Sequence, residues 1–310
     1  NGFMRKHESE EILKRYSQLG YKNIQSRNYS SFFLDALTGQ VDPQIKRQII
    51  GKTFIKMRDR FLNELNLNPQ DWMLGQGTLY PDIIESGGTE YAEVIKTHHN
   101  RVKEVLDLES SGNIVEPLKD LYKDEVRKVG TLLGLPESIL WRHPFPGPGL
   151  SINVLCSRGD ESFPQIEKSL KKVRDCLKDC NCRFQILPVR SVGVQGDQRT
   201  YASPVALINA PRDWDWLESQ ATRITNEVRT VNRVVLLLGS NTKDSSDQFN
   251  FHKAFCSKDR LDLLREADYK ATKFFEKHGL MPKIFQLLVI LLPVSKNGKE
   301  ESLVLRPVVS

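Results

Sequence analysis

Two N-terminal segments carry apolar residues at helical spacing. In residues 8–19 the apolar side chains fall on one face of a helix that Gly20 ends. The segment from residue 43 to residue 65 is predicted as a longer helix by the same criterion. The apolar positions behind the two predictions are Ile12, Leu13, Tyr16, Leu19, Ile45, Ile49, Ile50, Phe54, Met57, Phe61 and Leu65.

Short segments between the predicted helices are interpreted as strands. They lie at residues 23–28, 72–75 and 91–97, with a short extended segment at residues 114–118. We expect the run at 72–75 to be buried. Residues 123–133 predict another helix, with Gly134 and Pro136 as stop signals. The alternation of strands and helices favours an α/β layered sheet.

A stretch rich in proline and glycine divides the chain. Residues 142–149 hold three prolines and two glycines, which fits neither a helix nor a central strand. We therefore predict one domain over residues 1–150 and a second over residues 151–310. In the second, apolar strands at 184–194 and 231–238 flank a helix-like segment at 214–228, a pattern typical of α+β folds.

The second domain contains an internal repeat. Residues 184–190 (FQILPVR) and 288–294 (LVILLPV) share Leu-Pro-Val, and each follows a predicted helix, at residues 166–177 and 261–278. The repeat predicts a duplicated domain with units at 151–240 and 260–310. Chance similarity in such short windows is the alternative.

Composition and charge narrow the class of protein. The 310 residues are 39% hydrophobic and 27% charged, with a formal net charge of +6. The longest apolar stretch, residues 285–294, is too short to cross a membrane. The Lys and Arg residues are dispersed, which favours a solvated surface over a nucleic-acid interface. Five irregularly spaced cysteines favour reduced thiols over a zinc site.

The first polar motif, residues 74–86, follows a predicted strand end, where ligands of open α/β sheets bind. Gly75 and Gly77 would let backbone amides approach a ligand. Asp82 and Glu85 could hold Mg²⁺ beside phosphates. The alternative is that Asp82 stabilises the first turn of a helix, and the two roles are compatible.

The second motif, residues 95–100, carries Lys96, His98 and His99. Lys96 could neutralise phosphate charge in a transition state. Adjacent histidines point in different directions from most backbones, so at most one would carry a proton. A polar loop without a catalytic role is the alternative.

The third motif, residues 192–201, follows an apolar strand. Gln195, Asp197 and Arg199 supply an amide, a carboxylate and a guanidinium around Gly193 and Gly196, which free the backbone. Arginine suits phosphate, and an amide can read a purine edge. A polar β-turn with a surface salt bridge is the alternative. From the residues alone, we interpret the protein as an α/β enzyme that acts on nucleotides.

Taken in order, these motifs closely resemble the GMP synthase family. Further matching segments are residues 1–5 (NGFMR), 46–51 (KRQIIG), 116–119 (EPLK), 123–127 (KDEVR) and 142–150 (RHPFPGPGL). The match covers residues 1–238, and a weaker similarity continues to the end of the chain. Each motif is modest alone, but the ordered set is specific.

The resemblance implies an adenine-nucleotide alpha-hydrolase-like parallel sheet, followed by an α+β dimerisation and XMP-binding domain of the extended, duplicated eukaryotic type. It implies a carbon–nitrogen ligase that uses ATP and Mg²⁺ to adenylate XMP at O2. Ammonia from glutamine then displaces AMP to give GMP. It further implies a glutaminase domain N-terminal in the same polypeptide, a cytosolic location, no membrane or nucleic-acid partner, and a monomer or homodimer.

The resemblance also assigns roles by position. The residues implied in ATP and Mg²⁺ binding are Gln76, Gly77, Asp82, Glu85 and Lys96, with Asp82 at the metal. Those implied in catalysis are Asp82, Lys96, His98 and His99, the last three on a mobile lid. Those implied in XMP binding are Arg5, Gln195, Gly196, Asp197, Arg199 and Gln286.

Several family features are not in this sequence. The phosphate loop Ser-Gly-Gly-Val-Asp-Ser, the glutaminase domain and the C-terminal Lys-Pro-Pro-Gly-Thr motif are absent from it. We therefore expect a fragment that is inactive alone. The rival interpretations are another ATP pyrophosphatase, such as a tRNA thiolase, NAD synthetase or asparagine synthetase, and a non-catalytic nucleotide-binding or interaction module.

Overall fold

The computed structural model describes residues 1–68, 71–85, 112–140, 145, 147–161, 166–195, 198–238, 249–295 and 297–309. The helices in these ranges are α1 (Glu8–Gln18), α2 (Ser30–Ala36), α3 (Pro43–Glu64), α4 (Tyr80–Glu85), α5 (Lys123–Leu132), α6 (Glu137–Leu140), α7 (Ile166–Cys176), α8 (Trp214–Glu227) and α9 (Lys258–Lys277), with 3₁₀ turns at Gly149–Ile152 and Met281–Lys283. The strands are β1 (Leu74–Gly75), β2 (Ile114–Val115), β3 (Arg183–Ile186), β4 (Ser191–Gln195), β5 (Gln198–Ile208), β6 (Val231–Leu236), β7 (Asn250–Phe251), β8 (Gln286–Leu292), β9 (Val294–Ser295) and β10 (Ser302–Val308). The protein is thus mixed α/β with small parallel and antiparallel sheets, which confirms the coarse fold class.

The two predicted N-terminal helices are confirmed, but the prediction of a strand between them is wrong. Residues 21–29 form no regular element, and residues 21–28 are exposed. A lone extended segment has no neighbour to satisfy its backbone, so these residues do not form a strand. Helix α3 starts cleanly because Asp42 Oδ1 accepts hydrogen bonds from the backbone N–H of Gln44 (2.8 Å) and Ile45 (3.1 Å).

The predicted strand at residues 72–75 is shorter and less buried than expected. Only Leu74–Gly75 forms β1, which pairs in parallel with β2. Trp72 and Met73 are exposed by 52% and 62%, because no second layer covers them among the described residues. The predicted strand at residues 91–97 lies outside the described residues. The helix predicted at 123–133 is confirmed as α5.

A four-stranded sheet forms the centre of the second half of the chain. Strand β5 pairs antiparallel with both β3 and β4, and parallel with β6. The single strand predicted at 184–194 is therefore two strands, broken at residues 187–190, where Pro188 has no N–H to donate. The predicted helix at 214–228 and strand at 231–238 are confirmed as α8 and β6.

The two predicted repeat units share an order of elements. Helix α7 precedes β3, which pairs antiparallel with the later strand β5. Helix α9 precedes β8, which pairs antiparallel with the later strand β10. This order is compatible with a duplication, which remains a prediction.

The largest core cluster joins distant parts of the sequence. Phe3 and Ile50 from the N-terminal region pack in one cluster with Leu150, Leu261 and Leu291. A boundary at residue 150 remains a prediction, and this cluster contains residues from both sides of it. A separate cluster packs the inner face of the four-stranded sheet against β8 and β10.

The structure also describes the state of the cysteines and the length and polarity of the helices. All five cysteines lie in the described part of the chain, and each is a free thiol. In that same part, every helix is too short or too polar to cross a membrane.

Candidate functional site

The first motif lies at the carboxyl ends of two parallel strands. The register Leu74↔Ile114 and Gly75↔Val115 aligns the ends of β1 and β2. The backbone N–H of Gln76 donates to the carbonyl of Val115 (2.9 Å), which extends the pairing by one step. The chain segments that leave both strands therefore start side by side, in the position where α/β sheets bind ligands.

A polar triad connects these two segments. Thr78, which is fully buried, donates its hydroxyl proton to Glu116 Oε1. The Thr78 oxygen also lies 3.4 Å from Gln76 Oε1, but a hydroxyl has one proton and the shorter contact takes it. Thr78 thus fixes the Glu116 carboxylate against the loop after β1. Sequence reasoning assigned no role to Thr78 or Glu116, although Thr78 lies within the first motif and Glu116 within the matching segment at residues 116–119.

Asp82 has the helix-starting role that the sequence left open. Its Oδ2 accepts a hydrogen bond from the backbone N–H of Leu79 (3.1 Å), just before α4 begins. A carboxylate in a helix's first turn is also favoured by the helix dipole. The side chain is half-buried, so this contact leaves the possibility of metal binding unchanged. For Glu85 the structure describes only the backbone.

Gly77 faces open space. A Cβ placed on it would meet no atom within 4 Å, whereas one on Gly75 would touch Val115 Cγ1 at 4.0 Å. The backbone after β1 is therefore accessible to a ligand at Gly77. This agrees with the expectation that glycine permits close approach there.

The third motif forms a β-hairpin. Strands β4 and β5 pair from Ser191↔Ala202 to Gln195↔Gln198, with Val194 opposite Arg199. Gln195 and Arg199 therefore lie near the closed end of the hairpin, although only their backbones are described. Gly196 and Asp197 lie outside the described residues. The alternative of a polar β-turn stays open, because the two residues between the strands lie outside the described ranges.

Glycine is required at position 193 for a different reason from the expected one, which was freedom of the backbone. It is buried, and a Cβ there would lie 2.6 Å from Cβ of Asn232. Glycine is needed at this position because the Asn232 side chain crosses it. That side chain donates to the carbonyls of Ser191 (2.8 Å) and Thr200 (3.2 Å) and so ties β6 to both hairpin strands.

Arg233 holds the same hairpin. Its Nε and Nη2 donate to the carbonyl of Val192, at 3.0 and 2.7 Å. Burial, followed by the nearby charge of Arg306, lowers the pKa of Arg233 to about 10. The guanidinium is therefore used as a structural double donor at a carbonyl, inside the sheet.

On its other side the hairpin lies against the start of α3. The Tyr201 hydroxyl donates to Gln44 Oε1 (2.5 Å), and Arg47 Nη1 donates to the Tyr201 oxygen (3.4 Å). Arg190 Nη1 lies 3.6 Å from Asp42 Oδ2. The structure thus brings Arg47 to the hairpin, a basic residue that sequence reasoning had placed only within a matching segment.

Arg5 lies against α9. Its Nε is 3.5 Å from Asp268 Oδ2, an ion pair without hydrogen-bond geometry, and its guanidinium lies over the Phe145 ring at 4.4 Å. Burial lowers the pKa of Arg5 and raises the pKa of Asp268, and in each case the charge of the other residue opposes the shift. Gln286 starts β8 opposite Val308. The described residues implied in XMP binding thus lie in three separate parts of the chain: before α1, in the hairpin and at the start of β8.

The lid motif falls outside the described residues. This applies to Lys96, His98 and His99, as it does to Gly196 and Asp197. Their predicted roles therefore remain predictions.

Comparison with known proteins supplies the context for this geometry. Residues 172–244 match the GMP synthase C terminal domain. A probable glutamine-hydrolysing GMP synthase of Leptospira interrogans is 44% identical over 314 residues, which cover 100% of this chain and 50% of that protein. A glutamine-hydrolysing GMP synthase of Prochlorococcus marinus is 44% identical over 76% of the chain and 48% of its own length. One of Dictyostelium discoideum is 33% identical over 95% of the chain and 48% of its length.

The chain spans about half the length of the curated relatives that it matches. The similarity is not confined to one motif, since the Leptospira protein aligns with all of it. The resemblance that the motifs indicated is thus confirmed: the chain is similar over its whole length to a probable glutamine-hydrolysing GMP synthase and spans about half of that protein.

Proposed function

We propose that this chain is the synthetase portion of a GMP synthase. In this proposal ATP adenylates XMP at O2 with release of pyrophosphate, and ammonia from glutamine then displaces AMP to give GMP. The observation that carries the proposal is similarity over the full chain to proteins named glutamine-hydrolysing GMP synthases. Because the chain matches half of those proteins, we expect the reaction from the complete polypeptide and no activity from these 310 residues alone.

The β1/β2 strand ends are our candidate for the ATP side. Gln76 and the open Gly77 lie where a nucleotide phosphate could approach the backbone. Lys96, His98 and His99 are proposed as the lid that excludes water from the adenylate. Water exclusion matters because an acyl-phosphate-like adenylate would otherwise hydrolyse before ammonia arrives.

We propose Mg²⁺ near these strand ends on the chemistry of two carboxylates, since the described residues contain no group of three potential metal ligands. Asp82 on α4 and Glu116 after β2 supply carboxylate oxygens, which are the ligands that this hard cation prefers. Glu85 is proposed in support. When bound, Mg²⁺ would neutralise charge on the triphosphate during phosphoryl transfer. The protein's own contribution is to hold Asp82 by the Leu79 N–H and Glu116 by Thr78.

The hairpin is our candidate for the XMP side. Gln195, Gly196, Asp197 and Arg199 are proposed to contact the nucleotide at its closed end, and Arg5 and Gln286 to complete the site. The structure adds Arg47, which lies on α3 against the hairpin residue Tyr201. A guanidinium next to this hairpin is suited to the phosphate of a nucleoside monophosphate.

The finer architecture is part of the same proposal. We propose an adenine-nucleotide alpha-hydrolase-like first domain over residues 1–150 and a duplicated XMP-binding domain over residues 151–310. The shared helix–strand–strand order of the two units supports the duplication. The shorter match of the cyanobacterial relative supports an extended form. A glutaminase domain in the same polypeptide, a cytosolic location and a monomeric or dimeric state belong to this proposal too.

The test is an assay of the complete polypeptide that contains this chain, with XMP, ATP, Mg²⁺ and glutamine. We expect GMP, AMP and pyrophosphate in equal amounts. Pyrophosphate release that does not depend on XMP would instead indicate another ATP pyrophosphatase. Nucleotide binding without any turnover would indicate a non-catalytic module.

Asp82→Asn sharpens this test. Asparagine keeps an oxygen that can accept the Leu79 N–H, so stability should change little. Loss of the charge at a metal site should lower kcat about 100-fold or more, the usual scale for removing one preorganised electrostatic group. The matched control is Asp71→Asn, an exposed carboxylate three residues before β1, which should leave kcat unchanged. Equal rates for both variants would contradict the role of Asp82.

A further inference from the structure

Lys46 is a lysine in the protein core. It lies in the first turns of α3 and is only 1% exposed. Its Nζ donates to the carbonyl of Val154 (2.8 Å) and to Cys156 Sγ (3.5 Å). Among the described residues no carboxylate pairs with it, although a lysine is almost never fully buried without such a partner. The side-chain partner of this amine is therefore a thiol.

Two basic side chains direct N–H groups at the Cys156 sulfur. Besides Lys46 Nζ, Arg260 Nη1 lies 4.0 Å from it, and Glu301 holds that guanidinium by two contacts. The Val154 carbonyl, which lies 3.5 Å from the sulfur, also accepts from Lys46. A sulfur beside lysine and arginine is in the setting in which thiols become reactive. Because Cys156 is buried, its reactant must be small.

Two other buried thiols differ from Cys156. Burial raises the pKa of the Cys256 thiol to about 11, and the charges of Lys46 and Arg260 oppose this shift. Cys176 donates to Glu227 Oε2 (3.3 Å), and burial, followed by this carboxylate, raises its pKa as well. Both therefore stay protonated at neutral pH, and they serve as internal comparisons.

We propose that Lys46 and Cys156 form a modification site, at which dioxygen joins Nζ and Sγ through one bridging oxygen atom. The ammonium nitrogen and the thiolate sulfur each lose two electrons, and an N–O and an S–O bond form. Dioxygen accepts the four electrons and its O–O bond breaks. One oxygen atom enters the bridge, and the other leaves as water with two of the ammonium protons. An excess of a small thiol reverses the step: it is oxidised to its disulfide, the bridging oxygen leaves as water, and amine and thiol are restored.

The bridge fastens α3 to a segment that runs beside β8. The Leu155 N–H donates to the carbonyl of Leu291 (2.9 Å), and the Leu291 N–H donates to the carbonyl of Asn153 (2.8 Å). Lys46 and Cys156 are 110 positions apart, so the bridge closes a long loop. Like a disulfide, it restricts the unfolded chain. We therefore expect the oxidised protein to have a higher midpoint of thermal unfolding, which returns to its former value after treatment with a thiol.

Peptide mapping of the complete polypeptide that contains this chain tests the proposal. One sample is held in air-saturated buffer without reductant, and a second is held under argon with dithiothreitol. After tryptic digestion without reductant, we expect residues 28–47, uncut after Lys46, joined to residues 143–158 in the first sample only. The joined peptides should carry one extra oxygen atom and lack two hydrogen atoms, and dithiothreitol should separate them. Mapping needs no nucleotide, so its result is independent of the proposed function.

Variants identify the two atoms that react. Lys46→Arg keeps a donor for the Val154 carbonyl but removes the amine, and Cys156→Ser removes the sulfur, so neither variant should give the joined peptides. The matched control is Cys256→Ser, which should give them as wild type does. Cys176 should give no lysine-linked peptide, since its contact is a carboxylate.

Three results from folded wild-type protein would overturn the proposal. The first is residues 143–158 joined to residues 254–258, which is a disulfide with Cys256. The second is extra oxygen on Cys156 with Lys46 free, and the third is no change at either residue. Exposure to air in concentrated urea is the remaining control, because unfolding separates the amine from the thiol. Equal cross-linking of folded and unfolded protein would contradict the role of the buried contact.

Discussion

Arg260 and Glu301 form a buried two-point ion pair that fastens the start of α9 to the start of β10. Arg260 Nε lies 2.7 Å from Glu301 Oε1, and Nη2 lies 2.8 Å from Oε2. The same guanidinium donates to the carbonyls of Leu155 (2.8 Å) and Phe255 (3.0 Å). Arg260 is only 9% exposed, so these contacts replace water almost completely.

Removing Arg260 should therefore be costly. Arg260→Met keeps much of the side-chain volume but removes the donor to two carbonyls. It also leaves the Glu301 carboxylate beside the His252 ring, whose Nε2 lies 3.4 Å from Oε1, without its guanidinium partner. We expect a loss of about 3–5 kcal/mol in the free energy of unfolding, measured by urea denaturation. The control on the same helix is Lys258→Met, which breaks the exposed pair with Asp262 and should cost about 0–1 kcal/mol. Similar losses for the two variants would contradict the importance of burial.

Gly193→Ala tests the packing of the hairpin on β6. The new Cβ would lie 2.6 Å from Asn232 Cβ and 2.9 Å from its amide nitrogen. Asn232 cannot move away freely, because that amide holds both hairpin strands. We expect a loss of about 1–3 kcal/mol in the free energy of unfolding, typical of overpacking. An unchanged denaturation midpoint would show that the hairpin can shift.

Gly77→Ala is the contrasting substitution. A Cβ at Gly77 meets nothing within 4 Å, and the residue has no positive φ that alanine would resist. Stability should therefore stay within about 0.5 kcal/mol of wild type. If ATP lies at the β1/β2 strand ends, the methyl group would occupy space that the nucleotide needs. We then expect a raised KM for ATP in the complete polypeptide. An unchanged KM would indicate that ATP binds elsewhere.

Glu161 should contribute to stability in a pH-dependent way. Burial raises the pKa of its carboxyl, but hydrogen bonds from the N–H of Arg158, the Ser157 hydroxyl and the N–H of Gly159 outweigh this and lower the pKa from its ordinary 4.5. Folding therefore favours the ionised form. The resulting stability is fully present above pH 4.5 and is lost as the pH falls through the lower folded-state value.

Comparison with Glu161→Gln measures this contribution. The variant should be less stable than wild type at neutral pH, by about 1–3 kcal/mol, since the amide replaces a charged acceptor. The difference in free energy of unfolding should shrink as the pH falls below 4.5, because wild type then becomes protonated too. A difference that is constant over this range would contradict the linkage.

Local patterns in the sequence were sufficient for the helices. Helix α3 begins at Pro43, as the apolar spacing predicts, and α5 ends before Gly134, its predicted stop signal. Helices satisfy their own backbone, so periodicity and caps largely determine them. The strand predicted at residues 23–28 failed for the opposite reason, since a strand exists only if another segment pairs with it.

The amino-acid sequence by itself determined the helices, the polar motifs at strand ends and the resemblance to GMP synthases. Only the tertiary structure decided three contacts: Gly193 leaves room for the Asn232 side chain, Thr78 donates to Glu116, and Arg47 donates to Tyr201. These partners are separated by 38 to 154 positions in the chain. Contacts at such separations depend on how sheets and helices pack, which no short window of sequence records.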